Sequence, residues 1–220
     1  INEDSQQRLE ALAKEGIEIQ RRRREGDERT HAFLIPDIIR ADGKKISDRL
    51  ESIDDCYRRL NQKIHSLQDK IDQISYSLYN IPSEDREVMR KTVQVREQED
   101  EHSNVSGDGE TLRIDGRSRI HNLFSYLFDV SFGRFDVRYA TGEKELPDLP
   151  DSFDPLPVRT PGMLTYENGL PRYEAPEDYP ITFPKNGLLT NEQGGNNLVR
   201  RIRKAMELIF GREESGALEK

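Results

Sequence analysis

The chain has 220 residues, of which 33% are hydrophobic and 35% are charged, and it has no tryptophan. With a mean hydropathy of −0.88, it holds little apolar material for a large core, so we expect neighbouring chains to supply part of its buried surface. The net charge of −8 argues against general nucleic-acid binding, because an acidic chain repels a phosphate backbone. A single cysteine, Cys56, excludes an internal disulfide and a multi-cysteine zinc site, and it suits a reducing, cytoplasmic compartment.

The first segment, residues 1–32, is predicted to hold a short helix over residues 5–25 that ends in a run of four arginines, 21–24. This run has two interpretations. It is the solvated end of the helix, where cations suit the negative end of the helix dipole, or it is a nuclear-localisation signal or a patch for an acidic partner. The acidic residues that follow at 25, 27 and 28 favour the solvated helix end.

The second segment, residues 33–82, carries the strongest pattern in the sequence. After the short apolar run FLIPDII, apolar residues recur at alternating steps of three and four residues along one long helix. This is the spacing of a coiled-coil seam, a narrow apolar stripe that a second long helix must cover. The predicted seam consists of Ile46, Leu50, Ile53, Tyr57, Leu60, Ile64, Leu67, Ile71, Ile74, Leu78 and Ile81.

Residues that flank the seam favour a hetero-oligomeric helical bundle over a homodimer. In a parallel homodimer Lys63 would face Gln68. Lys70 would likewise face Ser75, so neither lysine would meet a complementary charge. A partner helix with acidic residues at these positions would match better. The seam residues do not settle the number of helices, because patterns that favour two strands and patterns that favour more both occur along it.

The third and fourth segments lie beyond Pro82. Residues 83–112 are predicted as a short helix that gives way to a polar loop at 96–110. Residues 113–145 hold the second concentration of apolar residues, as a helix followed by a short alternating strand. We interpret this segment as an apolar plug packed on the bundle, or as an aromatic anchor for a groove in a partner. Its candidate contact residues are Leu123, Phe124, Leu127 and Phe128.

The last two segments are residues 146–190 and residues 191–220. The former contains nine of the eleven prolines and is predicted to be an extended strap lying along another surface, with a linker or a ligand for proline-binding domains as alternatives. The latter is predicted to form an amphipathic helix that begins at Asn196 or Asn197 and stops at Gly211. It would dock in a groove of the complex or lie on an anionic membrane surface. Its apolar face includes Ile202, Met206 and Ile209.

No catalytic, metal or cofactor site is predicted. The four histidines are scattered, and none stands at metal-ligand spacing with Cys56 or an acidic residue. Neither a phosphate-binding glycine loop nor a dinucleotide-binding fingerprint occurs. We therefore expect a protein that is not an enzyme, takes no small-molecule substrate and uses no cofactor.

Several segments, taken in chain order, resemble the amino-terminal region of the WASH and SCAR/WAVE family of actin regulators. FLIPDIIR resembles the proline-containing lead-in to the helical region of that family, and DKIDQISYSLYNIPSED is similar to its coiled coil and proline stop. NLFSYLFD and LPDLP resemble later apolar and proline-rich segments. This resemblance implies a long helix held in a multi-subunit regulatory complex, followed by a segment fastened to a larger partner.

The helix LVRRIRKAMELI resembles the actin-monomer-binding helix of the same family, but the basic-aliphatic tail and the acidic, tryptophan-bearing end do not follow it. The resemblance therefore does not extend to activation of actin assembly.

The sequence thus predicts a mainly α, elongated chain with one long coiled-coil helix, short helices, extended proline-rich segments and no large globular core. We expect a scaffold subunit of a cytoskeletal complex, WASH-like by the resemblance, or one attached to a microtubule lattice such as that of a cilium. A nuclear kinetochore or transcription complex is an alternative, as is an adaptor at a membrane surface. In each case the expected partners are other protein chains.

Overall fold

The computed structural model describes residues 3–102, 116–149, 151, 154–155, 158–183 and 197–211, and of residues 93–102 it gives the helical backbone without the side chains. Within these ranges, helices predominate and β structure consists of isolated bridges, among them Phe135 with Met163 and Thr165 with Pro171. The prediction of a mainly α chain is confirmed. The helices are α1 (Glu3–Arg24), α2 (Asp37–Arg40), α3 (Ile46–Leu78), α4 (Ser83–His102), α5 (Gly116–Ser131), α6 (Val137–Thr141) and α7 (Leu198–Phe210).

The long helix α3 ends in a hydrogen-bonded cap just before Pro82. Asn80 adopts a left-handed backbone conformation with φ of 50°. The amide of Ile81 then donates to the carbonyl of Tyr76 at 2.9 Å. The amide of Asn80 donates to the carbonyl of Ser77 at 3.4 Å. This pair of bonds satisfies carbonyls that the helix end leaves open. The predicted stop before Pro82 is therefore confirmed.

The ends of α7 also agree with the sequence. Its cap is Asn197, whose side chain accepts a hydrogen bond from the amide of Arg200 at 2.9 Å. At the other end, Gly211 has a φ of 79°, a conformation that glycine adopts without steric cost. Both signals are local, which explains why the sequence alone identified them.

Two predicted elements are wrong. The polar run at 96–102 is helical, because α4 continues to His102 through glutamate, glutamine and arginine, which are good helix formers. Residues 103–112 of that segment lie outside the described residues. The predicted strand around Val137 is instead the short helix α6. Its cap, Asp136, accepts a hydrogen bond from the amide of Arg138, and Gly142 closes its other end in a left-handed conformation.

The described residues divide into two compact units. Unit 1 contains α1 up to Ile19, α3 from Arg58 onward, and α4. Unit 2 contains the stretch from Gln20 to Tyr57 and everything from Gly116 onward. The unit boundaries do not follow the six predicted segments, since α1 and α3 each contribute residues to both units.

Unit 2 has a hydrophobic core of its own, so the prediction of a chain without a large globular core needs correction. The few apolar residues are pooled from seven separate stretches of the chain, a concentration that an average composition cannot show. Close aromatic packing lies at its centre, with the ring of Phe135 4.9 Å from that of Phe33 and 5.4 Å from that of Tyr126. The core residues are Phe33, Ile35, Ile38, Ile53, Tyr57, Leu123, Tyr126, Leu127, Val130, Phe135, Val137, Tyr139, Leu164, Tyr179, Ile181, Ala205 and Met206.

Within the proline-rich segment, the described stretch at residues 158–183 packs on the core of unit 2. Leu164, Tyr179 and Ile181 are buried there. The hydroxyl of Tyr179 accepts from the amide of Val137 at 2.9 Å and donates to the carbonyl of Phe135 at 3.1 Å. The surface that this stretch covers therefore belongs to the same chain. An extended polyproline backbone along the whole of residues 146–190 stays a prediction.

Candidate partner-binding surfaces

The N-terminal half of the predicted seam lies in the core of unit 2. Ile53 and Tyr57 are buried, and Ile46 and Leu50 pack against the same core. Residues of the same chain bury Ile53 and Tyr57 and cover part of Ile46 and Leu50, so this half of α3 offers no continuous stripe to a partner helix. The assignment of these four as partner-binding residues is therefore corrected: Ile53 and Tyr57 belong to the core of unit 2, and Ile46 and Leu50 pack against it.

Tyr57 makes polar contacts that a seam residue would not need. Its hydroxyl lies 2.7 Å from Asp37 Oδ2 and 2.9 Å from the carbonyl oxygen of Arg23. Burial, and then the charge of Asp37, raise the pKa of Tyr57 well above its usual value, so the phenol stays protonated. The guanidinium of Arg119 covers the ring at 5.3 Å and forms an ion pair with Asp54 at 2.5 Å. These contacts fix α3 to the rest of unit 2.

The C-terminal half of the seam, in unit 1, is covered less completely. Leu67 is buried in the chain, and Ile81 is half-buried in the turn after the helix. The remaining seam residues of this half are half-buried and define what we call the α3 stripe. They are Leu60, Ile64, Ile71, Ile74 and Leu78.

The α3 stripe is flanked by two cations. Lys63 and Lys70 are exposed, and neither forms an ion pair within the described part of the chain. Both stand at the predicted flanking positions of the seam. The stripe therefore combines partly open apolar residues at coiled-coil spacing with positive charge along its edge.

Helix α5 has one buried face and one exposed face. Leu123 and Leu127 are completely buried in the core of unit 2, so they pack on this chain rather than on a partner, and their assignment is corrected. Phe124 and Phe128 remain 41% and 43% exposed. The interpretation as an apolar plug therefore fits the inner face, with Leu123 and Leu127. On the outer face, Phe124 and Phe128 stay candidates for an aromatic anchor.

The apolar face of α7 is covered by unit 2. Met206 is buried in the core, and Ile202 and Ile209 pack against it, since α7 lies against α5 and α6. These three residues are therefore not free to bind a partner groove. The same packing removes the apolar face that binding to a membrane surface would require. Among the described residues, no helix combines the length and the apolar character that a membrane span needs.

The arginine run at 21–24 is only partly a solvated helix end. Arg23 is buried, and its carbonyl lies within hydrogen-bond distance of the Tyr57 hydroxyl. Burial of one side chain and one carbonyl of the run restricts its use as an exposed import signal.

Sequence reasoning missed Arg49, which joins three helices of unit 2. Its Nη1 donates to the carbonyls of Ile38, Ile39 and Ala41 at distances of 3.1 to 3.2 Å, around the end of α2. Its guanidinium also lies 5.4 Å from the ring centre of Phe210 in α7. No local signal distinguishes this arginine from the other cations of α3, because its carbonyl partners lie 8 to 11 positions away and Phe210 lies in the last helix.

A second missed residue is Asp136, which is 1% exposed. Arg138 binds both of its carboxylate oxygens, at 2.8 and 2.9 Å, and Lys144 lies 3.4 Å away. Burial alone would raise the pKa of Asp136, but the hydrogen bonds and charges of Arg138 and Lys144 hold it below its usual value. Aspartate is a preferred N-cap residue, and its position just before α6 is the signal that could have identified it.

Within the described ranges, no three potential metal ligands lie together. Comparisons with protein-family models, curated proteins and solved structures found no match for the chain. The resemblance to the WASH and SCAR/WAVE family therefore stays an expectation from the sequence.

Proposed function

We propose that this protein is a non-enzymatic scaffold subunit of a multiprotein cytoskeletal complex, and that a helix of a partner protein binds the α3 stripe. One observation supports this most directly. Five apolar residues at coiled-coil spacing keep part of their surface open along the C-terminal half of α3. A second helix would complete their burial and gain hydrophobic free energy in proportion to the area covered.

The charges beside the stripe favour an acidic partner helix over a second copy of this chain. Lys63 and Lys70 are exposed and have no ion pair with a described residue. Glutamate or aspartate at the facing positions would pair with them and would set the choice of partner. The resemblance to the WASH and SCAR/WAVE family supports an actin-regulating complex, and attachment to a microtubule lattice is the alternative within the cytoskeleton.

The test is a comparison of the proteins that bind the full chain and its variants in native cell extract, identified by mass spectrometry. Replacing Ile64→Asp together with Ile71→Asp puts two charges into the stripe, and we expect it to remove the stably bound cytoskeletal subunits. The matched control is Gln62→Asp with Gln73→Asp, which adds the same charge at exposed positions of α3. The control should keep those subunits.

A second variant separates binding from folding. Lys63→Glu with Lys70→Glu changes only exposed side chains, so the fold should persist. We expect it to weaken the same partners by about tenfold or less, because pairs at the edge of an interface contribute modestly. If the partners survive both the aspartate and the glutamate variants, the α3 stripe is not the binding surface. If the partners are not cytoskeletal proteins, the cytoskeletal part of the proposal is wrong.

A further inference from the structure

Residues 158–183, which we call the strap, cover part of the core of unit 2 without forming a helix. Three apolar side chains of the strap are buried, those of Leu164, Tyr179 and Ile181. The shorter helix α5 buries four, and it also has its own helical hydrogen bonds. Burial of apolar surface and regular hydrogen bonding set the free energy of local opening, so we expect the strap to open more readily than α5.

Backbone hydrogen bonds fasten the first part of the strap to two other segments. The amide of Gly162 donates to the carbonyl of Phe33 at 3.3 Å, and its carbonyl accepts from the amide of Asp136 at 3.0 Å. The amide of Leu164 donates to the carbonyl of Arg134 at 3.0 Å. These bonds come from neighbouring residues of the strap, so we expect them to break and form together.

The side chain of Tyr179 fastens the second part of the strap. Its hydroxyl accepts from the amide of Val137 and donates to the carbonyl of Phe135. Phe135 stands between Arg134 and Asp136, whose backbone groups bind the first part of the strap. The Tyr179 phenol therefore holds the second part against the same short segment that binds the first part.

Two buried hydroxyl groups oppose the closed position of the strap. Thr160 Oγ1, in the strap, and the hydroxyl of Tyr126, in the core, have no hydrogen-bond partner in the described part of the chain. Burial raises the pKa of Tyr126, and the nearby Tyr179 and Asp136 add to this effect, so the hydroxyl lies close to the strap. A buried hydroxyl without a partner costs free energy that contact with water recovers. Opening of the strap would therefore relieve both groups.

We propose that the strap is a latched cover, which opens as one unit while α5 and α7 stay folded, and that Tyr179 is the latch. The contacts that close the strap are concentrated in the Tyr179 phenol and a few backbone bonds, and the two hydroxyl groups without partners favour opening. The open form uncovers the backbone groups of Phe33, Arg134 and Asp136, which the closed strap occupies. The strap lies in unit 2, so its opening does not depend on binding at the α3 stripe.

The test is hydrogen exchange of the full chain, measured by NMR under native conditions and at low concentrations of urea. We expect the amides of Gly162, Leu164 and Arg172 to exchange through one shared opening, since all three are hydrogen-bonded at the first part of the strap. Their exchange should be faster than that of the α5 amides and should depend less on urea, because opening of the strap exposes less surface than unfolding.

Variants of two tyrosines on the strap test the latch. Tyr179→Phe should speed exchange of the Gly162 and Leu164 amides by about tenfold or more, because it removes both hydrogen bonds of the hydroxyl. The matched control, Tyr173→Phe, changes a side chain that is 80% exposed and should leave these rates nearly unchanged. Tyr126→Phe should slow the same amides by several-fold, because it removes a hydroxyl that lacks a partner only while the strap is closed.

A core variant tests whether the strap opens separately from the helices. Leu123→Ala weakens the packing of α5, which persists when only the strap opens. It should therefore speed exchange of the α5 amides and leave the strap amides nearly unchanged. Equal acceleration of both sets would show a single opening and would overturn the inference.

Three further results would also overturn it. These are strap and α5 amides with the same protection and urea dependence, a Tyr179→Phe effect no larger than that of Tyr173→Phe, and faster exchange of the strap in Tyr126→Phe. The first of these is measured on the parent chain, so the inference can fail even if a variant does not fold.

Discussion

The two halves of α3 share one apolar pattern but have different surroundings. In unit 2, Ile53 and Tyr57 are 4% and 9% exposed among residues of their own chain. In unit 1, Ile64 and Ile71 remain half-buried. A helix in a globular core and a helix in a coiled coil both need apolar residues at steps of three and four. The pattern therefore predicts that a face is covered, and leaves open which chain covers it.

Helix α5 shows the same contrast between buried and exposed apolar residues, here between neighbouring positions of one helix. Leu123 and Leu127 are completely buried, whereas Phe124 and Phe128 are 41% and 43% exposed. All four were grouped together on the sequence, because an apolar residue on each face satisfies the same helical spacing. Distinguishing the faces requires knowledge of the core that they surround.

The contrast between the two halves of α3 is tested most directly by truncating one isoleucine in each. Ile53→Ala should lower the free energy of unfolding by about 2 to 5 kcal/mol, because it opens a cavity in a closed core. Ile71→Ala should cost clearly less, since its side chain is already partly solvated. Urea unfolding followed by circular dichroism measures both, and hydrogen exchange of the α5 amides reports on unit 2 separately.

Equal losses for Ile53→Ala and Ile71→Ala would contradict the division of α3 into a core half and an open half. Adding a partner of the α3 stripe provides an internal control. It should raise the cost of Ile71→Ala and leave that of Ile53→Ala unchanged, because the partner would bury only the stripe.

A smaller effect is expected at the polar end of Tyr57. Tyr57→Phe keeps the ring against Arg119 but removes the hydroxyl shared by Asp37 and the Arg23 carbonyl. We expect a loss of about 1 to 3 kcal/mol in the free energy of unfolding, because buried acceptors are left without a donor. The control is Tyr79→Phe, at a side chain that is 75% exposed, which should be nearly neutral. Similar stability of the two variants would exclude a structural role for the Tyr57 hydroxyl.

Local features of the fold could be predicted from the sequence. The end of α3 before Pro82 and the cap of α7 at Asn197 depend on residues a few positions apart, and both were identified correctly. The predicted strand at Val137 failed because alternation of apolar residues was weighed without the capping carboxylate of Asp136.

Features that depend on remote contacts could not be predicted. The Ser125 hydroxyl meets Glu28, 97 positions away, and Arg119 meets Asp54, 65 positions away. No local pattern encodes such pairs. Which apolar face becomes core likewise depends on residues remote in sequence, such as Phe33 and Phe135 around Tyr126.

The weakest predicted change is a dependence of the free energy of unfolding on pH, which we expect only in the core half of α3. Asp37 contacts Tyr57, and burial raises its pKa although the Tyr57 hydrogen bond and Arg40, Arg119 and Arg22 oppose the rise. The folded chain therefore binds this proton more tightly than the unfolded chain. Asp37 thus contributes stability below the usual aspartate pKa of about 4, and that contribution is lost as the pH rises through its raised value.

Replacing Asp37→Asn should remove this contribution. The free energy of unfolding of the parent chain, relative to that of the variant, should therefore increase as the pH falls from 7 toward about 4. Urea midpoints at several pH values measure the difference, with Asp69→Asn at an exposed site of α3 as the control that should stay constant. A difference that does not change with pH, or that shrinks on acidification, would show that Asp37 is not held in the buried contact with Tyr57. Hydrogen exchange should place the pH effect at residues 50–57 of α3 and not at residues 64–78, because only the core half carries this carboxylate.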